Sequence, residues 1–427
     1  MKLRAVKGTF DILPEDQRLR RHVLSTAERV LEHAGVLELT PPIFEHTEVF
    51  TKSVGASSDL VVQHEMYTFT DRGERSLTLR PEFTAGVLRA YIENGLIVWP
   101  TPVKLWSYGP IFRAENPQRG RFRQFHQVNC EFLGLDTPLL DAEAIALLYT
   151  VLSACGLEGL TVRLGSVGDP EDAAAYNAYL RRELGARQSE LSETSRERLR
   201  LNPMRVLDSK DAGDQAVIAT LKRPLDFLNP DARAHFEGVQ AFLTTWGIPF
   251  EVDDSIVRGL DYYRRTAFEI HAAGIGAQSA LCGGGRYDGL VAALGGPETP
   301  GVGWAFGLER VLDALREAGV RAPEAARPAL FLVPMDDEAV AEVAALAFRL
   351  RQNLTVLHAY AKRNLGKGFK EAERAGARFA GLRGARERER GVYALKDLAT
   401  GEQLELPEGE LAGFLHERLE RPLASSL

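Results

Sequence analysis

The chain has 427 residues, room for two or three domains, and its 45% hydrophobic and 26% charged residues are the balance of a globular protein with a large core. A net charge of −7, from 52 basic and 59 acidic side chains, excludes indiscriminate nucleic-acid binding but leaves room for local basic surfaces. No run approaches the roughly 20 apolar residues of a membrane helix. The N-terminal stretch MKLRAVKGTFDILPEDQ lacks the apolar core of a secretory signal. Cys130, Cys155 and Cys282 are too scattered for a disulfide framework or a CxxC metal site, which points to a reducing cytoplasm.

In chain order, Pro14 opens a helix that Gly35 closes, with Leu19, Val23, Ala27, Val30 and Leu31 as its apolar stripe. Pro41 and Pro42 forbid helix continuation into TPPIFEHTEVF. MYTFTDRGERSLTLRPE predicts a hairpin around Asp-Arg-Gly, and VKLWSYGPIFRAE and FRQFHQVNCEFLGL predict two strands joined by the polar loop NPQRGR. From about 169 to 247 the chain turns helical and polar, the mark of an insertion. Strands resume at VRGLDYYRRTAFEIH and LCGGGRYDGL, and GVGWAFGLERVLDAL predicts a strand followed by a helix with Leu308, Val311, Leu312 and Leu315 buried. REAGVRAPEAARP has linker composition. Beyond it, ALFLVP, TVLHAY, ARFAGL and the hairpin VYALKDLATGEQLEL, interleaved with helices, predict a separate α/β domain.

Several stretches carry chemistry. Strand alternation puts Gln127, Asn129 and Glu131 on one face and Val128, Cys130 and Phe132 on the other. The polar row is either one wall of a ligand pocket or a solvated face. Beside it, Arg113, Arg119, Arg121 and Arg123 concentrate planar, permanently charged forks suited to phosphate, or form a solvated hairpin tip. Arg258 precedes Gly259, and Tyr262 and Tyr263 point to opposite faces of a strand, one toward the core and one free to meet a ligand. Gly283, Gly284 and Gly285 allow a close approach of backbone to a bulky group, or a tight β-bend. Arg310 either projects toward a phosphate over the end of the sheet or pairs with an acid such as Glu309. His126 alternates away from the polar row and reads as structural. There is no Rossmann or P-loop fingerprint, no HExxH and no GxSxG elbow, so neither zinc nor a serine nucleophile is expected.

Taken together, these stretches resemble a class II aminoacyl-tRNA synthetase, and within that class the histidyl-tRNA synthetase family. FRAENPQRGRFRQFHQVNCE is similar to the second class-defining motif, GVGWAFGLER to the third, and LTPPIFEHTEVF with the helix before it to the first, which forms the dimer interface. RGLDYY and GGGRYDGL resemble the two histidine-specific signatures. The resemblance spans nearly the whole chain and is weakest at 169–247. It implies an α+β fold: a class II catalytic domain over residues 1–325, with a mixed, mostly antiparallel sheet flanked by helices and a helical insertion at about 169–247, then an α/β anticodon-binding domain over 326–427. The implied reaction is ATP-dependent activation of L-histidine to histidyl-adenylate and its transfer to the 3′ end of tRNA(His), releasing AMP and pyrophosphate. The implied setting is a cytoplasmic homodimer, with Mg2+ arriving with ATP, no zinc and no membrane partner.

The resemblance also assigns residues. Arg258 and Arg113 are the catalytic pair. Arg113 would hold both the ATP α-phosphate and the histidine carboxylate, and Arg258 would act at the α-phosphate where other class II enzymes rely on a metal ion. Glu82 and Thr84 match positions that bind the α-amino group. Phe83, where many family members have glycine, must point away from the ligand or fill part of the pocket. Gln127 and Glu131 match the amino-acid pocket, with Glu131 near the imidazole, and Tyr262 and Tyr263 line the histidine side. Arg121 and Arg310 bind ATP, Arg310 at the γ-phosphate end. Gln118, Arg119 and Arg123 belong to the segment that meets the tRNA acceptor end. The alternative is the non-charging, histidine-sensing regulatory subunit of ATP phosphoribosyltransferase. It predicts a degraded RGLDYY, a degraded arginine loop and no C-terminal module, and all three are intact.

Overall fold

Apolar residues at helical spacing bury one side of the helix Pro14–His33, and Gly35, at a φ of 70°, ends it in the left-handed region open to glycine. In the computed structural model, residues 3–53, 65–116, 121–253, 256, 263–273, 280–323 and 327–420 are described. They form two compact units, 1–323 and 324–427.

The strands of the first unit are β1 (Leu37–Glu38), β2 (Phe44–His46), β3 (Tyr67–Thr70), β4 (Ser76–Leu79), β5 (Val103–Phe112), β6 (Gln124–Leu133), β7 (Leu160–Ser166), β8 (Phe250–Val252), β9 (Arg264–Ala272), β10 (Ala280–Arg286) and β11 (Gly301–Gly307). Eight of them form one sheet in the order β1-β5-β6-β11-β10-β9-β7-β8, while β2-β4-β3 make a small antiparallel sheet that contains the expected hairpin. The large sheet is antiparallel except for the edge pairs β1–β5 and β7–β8.

One face of this sheet is dry. Val128, Cys130 and Phe132 of β6, with Trp304 and Phe306 of β11, pack against the helices Pro14–His33, Pro138–Ala154, Pro230–Thr245 and Leu308–Glu317. The opposite face is shared. At one end the helix Thr84–Glu93 covers it with Phe83, Val87, Leu88 and Tyr91 against Leu105, Leu133 and Tyr287. At its centre lie the polar side chains of β6, and small residues flank them. Gln127 stands between Gly109 and Gly307, Asn129 between Ser107 and Ala305, and Glu131 between Leu105 and Gly303.

The triple glycine is therefore not a bend. Gly283, Gly284 and Gly285 lie in a central strand, and the third continues the row Glu131–Gly303–Gly285 across the sheet. A Cβ at Gly303 would overlap the Glu131 carboxylate, and one at Gly285 would meet the Tyr263 ring at 2.7 Å. The missing side chains leave a trough whose floor is backbone.

The segment 169–247 contains the helices Pro170–Ala186, Glu193–Leu201, Ala212–Ile218 and Pro230–Thr245. Only part of it has its own core, built from Tyr176, Leu180, Leu184, Leu191, Leu199, Val206, Val217 and Leu221. The last helix instead buries Ala232, Phe236, Val239 and Leu243 in the main core. Its apolar stripe is visible in the sequence, but the surface that stripe covers is not.

The second unit has strands β12 (Leu330–Pro334), β13 (Val356–His358), β14 (Phe379–Arg383), β15 (Val392–Asp397) and β16 (Gln403–Pro407) in the order β13-β12-β14-β15-β16. Two apolar clusters cover it, one including the helices Asp337–Leu350 and Glu408–Glu420, the other the helix Leu365–Arg374.

Candidate active site

A cavity of about 450 Å³ opens where β5, β6, β10 and β11 end, and Arg113, Arg121 and Arg310 all line it. Arg113 follows β5; its Nε donates to the Pro81 carbonyl at 3.0 Å, and its guanidinium lies over the Phe125 ring at 5.4 Å. Arg310 sits in the first turn of the helix after β11, and its Nη1 donates to the Ala280 carbonyl at 2.9 Å. It makes no ion pair with a described residue. The anticipated alternative, Glu309, is engaged elsewhere, with Arg20 at 2.9 Å and the His126 Nδ1 at 2.9 Å. His126, stacked on Tyr108 at 5.9 Å, has the structural role expected of it. Burial would raise the Glu309 carboxyl, but its bonds from His126 and Arg20 hold it below the usual range, so Glu309 stays charged.

Arg121 pairs loosely with Glu115 at 3.4 Å. Glu65, Glu115 and Glu269 add carboxylates to the wall. Burial, then the Glu115 charge, raises the Glu65 carboxyl above its ordinary value. Three guanidinium groups on one concave surface suit a polyanion that can displace such weak internal pairs.

Gln127 joins this cavity to the trough. There the Glu131 carboxylate accepts from Asn129 Nδ2 at 2.9 Å and from the Tyr287 hydroxyl. Burial pushes Glu131 up to about 7, against bonds from Thr84, Tyr287 and Asn129 that favour the charge. Thr84 also reaches Glu82, which burial likewise raises and which accepts from the Ala85 N–H at 2.9 Å. Three buried acceptor atoms here have no partner among the described residues: Glu82 Oε2, Gln127 Oε1 and Asn129 Oδ1. A buried acceptor left unpaired costs about 1–3 kcal/mol, so the trough is built for a ligand that brings N–H donors.

Arg113, Arg121, Gln127 and Arg310 thus share one wall, and Glu82, Thr84 and Glu131 form one cluster beside it. Tyr263 stands over Gly285 on the trough face. Phe83 is fully buried in the apolar cluster under the helix Thr84–Glu93, and its ring lies 3.5 Å from where a Cβ at Gly109, the neighbour of Gln127, would stand, so it packs over that end of the trough face. The Arg123 guanidinium turns to the carbonyls of Glu115 and Lys7, at 3.3 and 3.5 Å, rather than standing free on the hairpin tip. Arg258, Tyr262, Gln118 and Arg119 lie outside the described residues.

Sequence reasoning did not assign Tyr287, the donor to Glu131, although it stands inside the quoted GGGRYDGL; its hydroxyl acts across 156 positions of sequence. Glu65 had no signal, since nothing local distinguishes it from a surface acid.

The model of the family described as histidyl-tRNA synthetase matches residues 8–311, and that of the anticodon binding domain matches residues 329–418. The histidine–tRNA ligase of Thermus thermophilus is 55% identical over 421 residues, 98% of this chain and 100% of that protein. The one from Deinococcus radiodurans is 49% identical over 429 residues, 97% of this chain and 100% of that protein. Among solved structures, apo histidyl-tRNA synthetase from S. aureus matches with a TM-score of 0.82 at 35% identity, covering 97% of this chain and 100% of that one. A Bacillus halodurans structure described as an ATP phosphoribosyltransferase regulatory subunit/histidyl-tRNA synthetase matches with a TM-score of 0.62 at 20% identity over 89% of this chain and 97% of that one, a likeness of fold alone.

Proposed function

The chain belongs to the histidyl-tRNA synthetase family and is a histidine–tRNA ligase, and from that premise we propose how its residues divide the work. Histidine lies in the trough. Its ammonium group supplies donors to Glu82 and Gln127, and its imidazole N–H is read by Glu131, which Tyr287 and Asn129 hold in place. A site built of hydrogen-bonding groups rejects analogues that leave those groups unpaired. ATP takes the arginine-lined cavity, with Arg310 and Arg121 toward the outer phosphates and Arg113 at the α-phosphate, close to the histidine carboxylate. The carboxylate oxygen attacks the α-phosphorus, the bond to the β-phosphate bridging oxygen breaks, and pyrophosphate leaves. The terminal ribose hydroxyl of tRNA then attacks the activated carbonyl, and AMP leaves.

Negative charge grows on α-phosphate oxygens during the first step. Fixed guanidinium groups that need not reorient lower that barrier, and no protein nucleophile is required. We assign the second such charge to Arg258. Mg2+ would accompany ATP and neutralise its outer phosphates, and Glu65 and Glu115 are hard oxygen donors of the kind it takes. The unit 324–427 meets the anticodon region, where the loop after β13 carries Tyr360, 83% exposed, with Lys362 and Arg363, and the following helix Leu365–Arg374 carries Lys367 and Lys370. We assign a homodimer interface to the face bearing Ile43, Phe44 and Phe69, which are exposed apolar groups in and beside the small sheet. A cytoplasmic setting completes the proposal.

One observation carries the reading: Arg113 and Arg310, 197 positions apart in sequence, face one cavity that Gln127 connects to the carboxylate cluster. The test is amino-acid-dependent ATP–pyrophosphate exchange with a panel of amino acids, followed by charging of tRNA(His). Histidine alone should support exchange, and Arg258→Ala should abolish most of it while leaving tRNA affinity intact. Exchange with another amino acid, or histidine binding without charging, overturns the assignment.

A further inference from the structure

Arg80 lies two residues before Glu82 and is 3% exposed, yet no described carboxylate pairs with it. Its guanidinium donates to backbone carbonyls instead: Nη1 to Pro41 at 2.8 Å and Pro42 at 3.4 Å, and Nε to Pro110 at 2.9 Å. The same guanidinium rests on the Phe83 ring, 4.3 Å from its centroid. The backbone of Arg80 is fastened too, its N–H to Ile43 at 2.9 Å and its carbonyl to the Phe112 N–H at 3.0 Å. The next carbonyl, Pro81, holds Arg113. Space for this side chain is reserved on β5, because a Cβ at Gly109 would overlap the guanidinium. Burial lowers the Arg80 pKa to about 10, which still leaves the group charged at neutral pH.

The Glu45 carboxylate acts on Arg80 only through its charge, its direct ion pair being with Arg89. A buried cation with no ion pair of its own is an expensive way to fill a core; an apolar side chain of similar volume would serve stability as well or better. What an apolar side chain cannot do is hold three segments in register through directed bonds. We propose that Arg80 is the positioning residue of the amino-acid end: by clamping Pro41–Pro42 and Pro110 on one side and the Phe83 ring on the other, it fixes the turn 81–84 and so aims Glu82 and Thr84 into the trough. This also gives Phe83 its role, as the surface on which the clamp rests. The inference depends on the assignment of Glu82 to the histidine ammonium group.

The test uses the full chain in histidine-dependent pyrophosphate exchange, with Arg80→Lys, Phe83→Leu and Glu82→Gln measured alongside active-site titration and thermal unfolding. Arg80→Lys keeps the charge and loses the fork. It should raise the KM for histidine by about tenfold, the scale of one lost directed interaction, with the KM for ATP changed by less than about twofold. Phe83→Leu, which keeps bulk and loses the ring face, should shift the histidine KM in the same direction by a smaller factor, and it decides the matter if Arg80→Lys does not fold. A fall in the titrated fraction of active sites with both KM values unchanged would mean that Arg80 only supports the fold, and it sinks the proposal. If Glu82→Gln raises the histidine KM while the two clamp variants do not, the role of Glu82 stands and that of Arg80 falls. If Glu82→Gln has no effect, both fall.

Discussion

Glu131 shows what burial does to one carboxylate. Its pKa of about 7 lies above the ordinary 4.5 because the trough is dry, and Tyr287, Asn129 and Thr84 offset only part of that penalty. A raised carboxylate binds its proton more tightly when folded than when unfolded. Its ionisation therefore removes stability as pH climbs from about 4.5 to about 7, by about 3 kcal/mol across the window. The charged form is nevertheless the one that accepts from an imidazole N–H. In pyrophosphate exchange, kcat/KM for histidine should accordingly rise with pH through the neutral range. Tyr287→Phe deletes a donor that holds the pKa down, so it should move this ascending limb to higher pH. A limb that stays in place assigns the ionisation to another group. A second residue-scale expectation concerns Arg310. Arg310→Ala should raise the KM for ATP by about tenfold or more, the scale of a lost charge-assisted bond to phosphate, while the KM for histidine stays put. At this scale the sequence was informative where a side chain's direction follows from strand period. Gln127, Asn129 and Glu131 could be placed on one face from alternation, whereas the inward turn of Phe83 depends on Arg80 and the apolar cluster beneath it.

Elements are held in register by a second polar cluster, buried on the way from the sheet to the helices. Arg286, fully buried, closes the glycine strand β10 and bonds both Asp141 of the helix Pro138–Ala154 and Asp288, the latter at 2.8 Å. Asp141 also takes bonds from His235 of the helix Pro230–Thr245 at 2.8 Å and from Thr266 of β9 at 2.5 Å. Asp288 in turn accepts from the Gly301 N–H at the start of β11, 3.1 Å away. Burial alone would raise Asp141, but the bond from His235 and the Arg286 charge bring it below its ordinary 3.8, so this contribution is intact above that pH and lost on stronger acidification. Asp141→Ala leaves a buried guanidinium without its main partner. It should lower the free energy of unfolding by about 3–5 kcal/mol, read from urea denaturation. A change below about 1 kcal/mol would show that the remaining partners of Arg286, Asp288 with Asp136 at 3.5 Å, suffice for it. None of this network was legible in the sequence, because its members are scattered from residue 136 to residue 301 and each has an ordinary local context. The same limit explains the helix Pro230–Thr245. Its pattern declares a helix with one apolar face, but only tertiary packing decides that the face belongs to the main core and not to the insertion.

At the scale of the whole molecule, the proposal gives activation to the first unit and anticodon recognition to the second, so the two should separate by experiment. Tyr360→Ala, on the surface of the second unit, should lower kcat/KM for tRNA(His) in charging by about tenfold, the scale of one lost base stack, with histidine-dependent exchange unchanged. Equal loss in both assays would instead tie that surface to folding. In the sequence, the signals for two units are the linker composition around REAGVRAPEAARP and the change of element pattern after it; the compact units meet at residues 323 and 324. The trough was not legible there, since a run of glycines looks alike in a bend and in a strand until its neighbours across the sheet are known. That floor has an evolutionary corollary. Glycine is already the smallest residue, and Gly303 and Gly285 leave nothing to whittle away. Point changes on the floor can only make the compartment shallower. A variant enzyme that accepts a bulkier amino acid must therefore be sought in the movable walls, or through a shift of whole strands, and never in the base.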